Sequence, residues 1–261
     1  MDIIVCIKQV IAGDRVKIDP HTRSLVRSAE LSRINPFDLF ALDMAVKLKK
    51  EYSGSVTAIT MGPKISEEVL WDALAVGADG AVLLSDPRFA ASDTLATSYV
   101  LGMGIRKIGK FDVILCGMRT TDSGTAQVGP QLAEELGLPH VTGVEKLERK
   151  KNFFRVERTS DGFREILEVS APALFTISSK TAVRLPSLID IEDAFRKYSI
   201  ASWNLEDVKA DPAKVGSAGS CTWVEELIPI AKEKSCTFIE GELRRQAKSL
   251  YSKLVDKNLL S

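Results

Sequence analysis

Five short, nearly uninterrupted apolar runs constrain this chain more than any other feature. They are Asp2–Val10 (DIIVCIKQV), Ser55–Met61 (SVTAITM), Gly80–Leu84 (GAVLL), Phe111–Cys116 (FDVILC) and Ala173–Ile177 (ALFTI). A strand with one wet face alternates apolar and polar residues. A run that is apolar at almost every position needs cover on both faces, as in a parallel sheet between two layers of helices.

The intervening segments supply those helices. Asn35-Pro36 reads as a helix start, with Asn as cap and Pro at the first helical position. Phe37, Phe40, Ala41, Met44, Ala45 and Leu48 follow at helical spacing and form one apolar stripe. Ser66 is expected to cap a second helix, with Glu67 and Glu68 at the positive end of its dipole. Ser92 is expected to cap a third, running to Gly109, and a fourth starts near Thr125 and stops before Gly137 and Pro139. This βαβα order predicts an α/β fold with right-handed crossovers.

Two segments depart from the rhythm. Asn152–Arg158 and Arg164–Val169 flank Thr159-Ser160-Asp161-Gly162, and the Asp-Gly pair predicts a β-hairpin within 152–169. Beyond Pro186 the pattern fades. Ser202–Ser220 is polar, rich in Ala, Gly and Ser and without sustained period, and reads as an extended arm before a final helix at Gly241–Asp256. The expected division is an α/β domain over 1–195 and an arm with its helix over 196–261. A segment that cannot build its own core lies over something else, either its own domain or a partner.

Composition narrows the function. With 35 Lys+Arg against 35 Asp+Glu in 261 residues, the chain lacks the basic balance of a nucleic-acid binder. The run at Met1–Val10 is too short and wrongly flanked for a signal peptide or a membrane span, so a cytoplasmic setting without membrane insertion is expected. Cys6, Cys116, Cys221 and Cys236 show no metal-ligand spacing, and Cys6 and Cys116 sit in strand-like runs as small buried hydrophobes. His21 and His140 stand alone in loop-like contexts. There is no P-loop, no Gly-x-Gly-x-x-Gly after the first strand, and no nucleophile–His signature.

Open α/β sheets bind ligands at the carboxyl ends of their strands. Four loops converge there by position: the residues after Cys6, including Lys8; the helix start at Asn35, Pro36, Phe37 and Asp38; Met61-Gly62-Pro63; and the long segment from Gly117 to Pro130. In that last segment Gly124, Ala126 and Gly129 let a ligand approach the backbone, and the N–H groups from about Gly124 to Val128 form an anion site at a helix N-terminus. Thr125 adds a hydroxyl, and Asp122 either accepts from a ribose hydroxyl or braces the loop. A nucleotide phosphate is the expected occupant.

At these residues the sequence resembles the β subunit of electron-transfer flavoproteins. The matching segments are Val5–Val10 (VCIKQV), Val16–Pro20 (VKIDP), Asn35-Pro36, Thr60–Pro63 (TMGP), Ala73–Asp79 (ALAVGAD), Asp122 with Thr125–Pro130 (TAQVGP), Val156–Arg158, Asp193–Phe195 and Asp211-Pro212. The resemblance implies an adenine-nucleotide α-hydrolase-like fold and a heterodimer with an α subunit that carries FAD. It implies an electron carrier rather than an enzyme in its own right, passing electrons between a dehydrogenase (of acyl-CoA or other substrates) or NADH and an acceptor. The β site would hold FAD in the electron-bifurcating branch or a structural AMP in the respiratory branch. The site residues carried over are Cys6, Asn35, Pro36, Phe37, Asp38, Met61, Arg119, Asp122, Ser123, Gly124, Thr125, Ala126, Gln127, Val128, Gly129, Pro130 and Gln131.

Two departures from the family pattern matter. Before the Thr, the bifurcating group has Gln-Ala-Ile-Asp-Gly-Asp, whereas here Arg119-Thr-Thr-Asp-Ser-Gly124 places a cation and removes an acid. Arg119 is therefore expected to tune the potential of a flavin bound here, since positive charge favours a reduced, anionic flavin. The partner-docking loop, Asn-x-Pro-Arg-Tyr with a following Leu in the family, reads Thr181-Ala-Val-Arg184-Leu185-Pro-Ser-Leu188. Arg184, Leu185 and Leu188 are the expected docking residues, toward a non-standard dehydrogenase. A stand-alone nucleotide-binding protein of the universal-stress type is the alternative, though it has no use for the arm or for this loop.

Overall fold

The first strand explains the architecture. In β1 (Asp2–Cys6), Ile3 and Val5 point to one face and Ile4 and Cys6 to the other, and all four are buried. Full burial of each such aliphatic side chain contributes about 1.5–3 kcal/mol. A strand of this kind is stable only in the middle of a sheet covered on both sides. The computed structural model describes residues 1–11, 32–178, 185–225 and 236–260; the VKIDP segment, His21 and Arg184 lie outside the described residues.

The chain continues through β2 (Gln9–Ile11), β3 (Ser32–Ile34), α1 (Pro36–Tyr52), β4 (Ser55–Met61), α2 (Glu67–Val76), β5 (Gly80–Leu84), α3 (Thr94–Ile108) and β6 (Val113–Gly117). It goes on to α4 (Val128–Leu136), β7 (His140–Arg149), β8 (Phe153–Ser160), β9 (Phe163–Ser170), β10 (Ala173–Ile177), α5 (Leu188–Lys197), β11 (Ile200–Trp203), the single turn α6 (Gly216–Gly219) and α7 (Leu243–Asp256). Nine strands form one sheet in the order β11-β5-β4-β1-β6-β10-β7-β8-β9. Pairing is parallel from β11 to β7 and antiparallel through β8 and β9, while β2 and β3 form a separate antiparallel pair. The expected α/β fold with a mostly parallel sheet, flanking helices and a hairpin insertion is what the structure has.

Alternation along the strands creates two cores. Ile3, Val5, Val56, Ala58 and Leu115 pack with α1 and α2, while Ile4, Cys6, Ile59, Ile114 and Leu174 pack with α3 and α4. The hairpin turns at Asp161-Gly162, both with positive φ (50° and 81°), the two-residue turn whose twist matches the flanking strands.

Local expectations differ from the structure in instructive ways. Ser66 ends a 3₁₀ turn before α2 and caps nothing; its hydroxyl donates to Gln9 Oε1 at 3.0 Å. Asp93 rather than Ser92 caps α3, accepting from Ala96 N–H. His140 opens β7, a ten-residue strand that the isolated reading of that histidine did not foresee. Helix α4 begins at Val128, later than the expected Thr125.

The expected boundary after residue 195 also differs from the structure, in which one compact unit spans Met1–Val224 and a second spans Glu225–Ser261. β11 extends the sheet beside β5, and the following segment buries Leu205, Val208, Ala210 and Val215 in the α3 core. Hydrogen bonds fix it there: Leu205 N–H to Asp86 Oδ2 (3.1 Å), Asp211 N–H to the Tyr99 hydroxyl (2.9 Å) and Gly216 N–H to Ser92 Oγ (3.1 Å). Part of the segment read as an arm thus completes its own domain. In the second unit, α7 carries a stripe of Leu243, Leu250, Tyr251 and Val255, all exposed.

Replacing Leu205 by Ala is expected to destabilise the protein by about 2–4 kcal/mol in urea unfolding, as for other buried leucines. A loss under about 0.5 kcal/mol would mean that the segment is surface dressing.

Candidate nucleotide site

Strands β1, β4 and β6 end side by side, with Cys6 in register with Cys116 on one side and Ile59 on the other. The two cysteines are buried and free. A hydrogen bond to Cys6, together with burial, pushes the Cys116 thiol well above its ordinary value, so it sits in the floor as a neutral thiol. Met61 closes β4 next to them and packs on the same core.

Above this floor three segments are drawn together by buried polar groups. Asn35 occupies the backbone cap position of α1, but its side chain caps nothing. Its Nδ2 donates to Asp38 Oδ1 and to the Arg119 carbonyl, both at 2.9 Å, and its Oδ1 accepts from Thr121 N–H at 3.3 Å. Its backbone N–H reaches the Lys8 carbonyl at 2.9 Å. Asp38 Oδ2 accepts the Lys8 N–H at 2.7 Å. Burial raises the Asp38 carboxyl to about 7, against the opposing hydrogen bonds from Asn35, Lys8 and Gly117. Gly117 has to be glycine here: an added Cβ would overlap Asp38 Oδ1 and lie 2.7 Å from the carbonyl carbon of Phe37.

The loop from Met118 to Gln127 leaves this knot and is exposed over most of its length. Lys8 Nζ pairs with Asp122 Oδ2 at 2.6 Å. Burial would raise the Asp122 carboxyl, but Lys8 and the Thr120 hydroxyl outweigh it and hold it below its ordinary value. Asp122 also accepts from Ser123 N–H at 2.8 Å, so of its two expected roles the geometry has it bracing the loop. Arg119 lies over the Phe37 ring, its Cζ 4.9 Å from the centroid, which keeps its charge at the loop's foot.

The far end is fastened as well. Thr94 Oγ1 donates to Gln127 Oε1 at 3.0 Å, and Ser98 Oγ reaches the Val128 carbonyl at 3.3 Å. Gly129, expected to let a ligand near, instead lets α4 approach β10: a Cβ there would overlap Thr176 Cγ2. Pro130 and Gln131 lie in the first turn of α4, with Gln131 N–H bonded to the Gln127 carbonyl. Between the two anchors Gly124 (φ 63°) and Ala126 (φ 57°) are left-handed on either side of Thr125, with Ser123 before them. A left-handed non-glycine residue is uncommon and marks a shaped backbone, here one with unshielded N–H groups outside the helix proper.

The structure therefore gathers Cys6, Asn35 to Asp38, Met61 and Arg119 to Val128 at the carboxyl ends of the central strands. Thr94 and Ser98 were absent from the residues expected there, and Lys8 was expected only by its position after the first strand. Thr94 and Ser98 become visible only once α3 is seen beside α4. Leu185 and Leu188 are elsewhere, before and at the start of α5, which stacks Phe195 on Trp71 of α2. No group of His, Cys, Asp and Glu among the described residues is placed to hold a metal, and none of their helices is long and apolar enough to cross a membrane.

A family model described as the electron transfer flavoprotein domain matches residues 22–207. The chain belongs to the electron transfer flavoprotein family. It is 38% identical over the whole of both chains to the electron transfer flavoprotein subunit beta of Thermoanaerobacterium thermosaccharolyticum. It is 40% identical, again over both whole chains, to the caffeyl-CoA reductase-Etf complex subunit CarD of Acetobacterium woodii. With protein FixA of Azorhizobium caulinodans it shares 38% identity over 97% of this chain and 94% of that one. As a β subunit of this family, the chain is an electron-carrier subunit rather than a catalytic enzyme.

Gly117→Ala is expected to cost about 1–3 kcal/mol of stability, the usual penalty for an added methyl in a packed site, read by urea unfolding. Unchanged stability would show that α1 and β6 can separate at no cost.

Proposed function

We propose that the 118–128 loop and the Asn35 knot hold the pyrophosphate of an FAD. The chain then works beside an FAD-carrying α subunit, relaying electrons between a dehydrogenase or NADH and an acceptor, with a second flavin allowing bifurcation. The observation that carries this reading is the doubly anchored loop, with small residues and open N–H groups from Gly124 to Ala126 between Lys8–Asp122 and Thr94–Gln127. Such a backbone fits a phosphate, and Lys8 and Arg119 supply positive charge at its base. A bound flavin supplies the electron chemistry; the chain's own residues bind it, orient it and set the charge around it. The relatives' names support the assembly: one is a subunit of a caffeyl-CoA reductase-Etf complex.

The test is to purify the chain with its α subunit and count flavin and adenylate. Two FAD per heterodimer is the expected result. One FAD with one AMP would turn the site to the structural-nucleotide role, and a colourless monomer would end the electron-carrier reading.

We assign docking of the dehydrogenase to Leu188, 85% exposed at the first position of α5, with Leu185 shortly before it, also exposed, and with Arg184, which lies outside the described residues. The Ser187–Asp190 capping box holds that end of the helix, so the exposed leucine is presented on a fixed support. Leu188→Ala is expected to slow reduction by the partner dehydrogenase at least tenfold, the scale of a lost interface anchor, with flavin content unchanged. Equal rates would remove the role.

A further inference from the structure

Asp38 was expected to touch the nucleotide, yet its carboxyl lies inside the knot and is occupied by the chain itself. Oδ2 takes the Lys8 N–H, Oδ1 takes Asn35 Nδ2, and the Gly117 N–H also bonds to the carboxylate. Every one of these partners is a donor. A carboxylate is an acceptor only and matches them; a protonated carboxyl gives one acceptor position to its own hydrogen and accepts more weakly at that oxygen. Asn35 passes the consequence outward, because the amide that bonds Asp38 also holds the Arg119 carbonyl and the Thr121 N–H. Asp38 thus reaches the phosphate loop in two steps, through Asn35, and reaches its ion pair through the backbone of Lys8.

We propose that Asp38 is a positioning residue for the nucleotide, and that taking up a proton there loosens the 118–123 end of the loop and with it the grip on the ligand. This deepens the nucleotide-site reading above and rests on it. The charged and titratable groups facing Asp38 among the described residues come from each surrounding element. Lys8 after β1 and Cys116 near the end of β6 act on it directly; one step further out, Cys6 adjoins Cys116, Asp122 pairs with Lys8, and Arg119 lies over the ring of neighbouring Phe37. Cys116 is pushed up and Asp122 is held down, so neither changes charge near neutrality. Burial brings the Asp38 carboxyl to about 7, inside the range over which the site would operate. The sign is set by the donors: grip is firm above that value and weakens as pH falls through it.

The experiment uses the full chain in complex with its α subunit and FAD, whose pyrophosphate does not titrate between pH 6 and 8, unlike a phosphate monoester. FAD release is followed by recovery of flavin fluorescence, and the α-subunit flavin cancels between wild type and variants. Wild-type affinity is expected to fall about fivefold to tenfold from pH 8 to pH 6, the scale of one linked proton. Asp38→Asn presents an amide donor to the same partners and should bind weakly and equally at both pH values. Asn35→Ala, which cuts the link but leaves the carboxyl in place, should also lose the slope. A wild type that binds without a slope, or either variant that keeps the wild-type slope, overturns the inference alone. A wild type that takes neither FAD nor AMP in this chain overturns the nucleotide reading and this inference with it. If the site takes AMP, the same comparison is made with AMP, whose own titration cancels between wild type and variant.

Discussion

Asn35 and Asp38 are polar side chains removed from water, and such groups are tolerated only when fully partnered. Their partners come from the connection after β1, the start of α1, the end of β6 and the loop beyond it. Each of these segments would otherwise leave its strand end in its own direction. An unsatisfied buried donor or acceptor costs about 1–3 kcal/mol, so the knot forms as a unit or not at all. The glycine at 117 belongs to the same requirement, since α1 can come close enough to be tied only where β6 has no side chain.

Beneath the knot, the sheet supplies a floor that cannot shift. β1 is buried on both faces and paired on both edges, with α1 and α2 on one side and α3 and α4 on the other. The segment after β11 contributes to that rigidity by sealing the α3 core with Leu205, Val208 and Val215. It also joins the site's neighbourhood: Asp93, which caps α3 beside Thr94, accepts from Cys221 N–H at 2.8 Å and from Thr222 N–H at 3.0 Å. One helix end thereby fixes both the tail of the 118–127 loop and the point where the last part of the domain runs out.

The strands were legible because complete burial leaves an unmistakable run of apolar residues, as in GAVLL at β5, where the structure has the expected limits. Asp161-Gly162 was legible because few residue pairs accept two positive φ values in succession. What escaped is physical in kind. Leu205, Val208, Ala210 and Val215 are too sparsely spaced to show a period, and their burial follows from where β11 docks rather than from local pattern. Ser66 and Asn35 have cap chemistry, yet both spend their side chains on distant partners, Gln9 and Arg119, which no local rule can anticipate. Gly129 was read as room for a ligand and is room for Thr176, because a small residue near a site does not say from which side it is approached.

The division of the loop into anchored ends and a free middle bears on what binding there costs. Ordering a flexible segment on association consumes binding energy, roughly 1–2 kcal/mol for each backbone residue fixed. Here the first part is already held by Asn35 and by the Lys8–Asp122 pair, and the last by Thr94 and the packing of Gly129. Only the stretch around Gly124, Thr125 and Ala126 lacks a side-chain tether, and Gly124 and Ala126 already sit in left-handed conformations. Under the proposed reading, a ligand phosphate would have little chain left to order. Affinity in such a site would depend in part on how firmly the ends are held, so the buried partners of Asn35 would bear on it without touching the ligand.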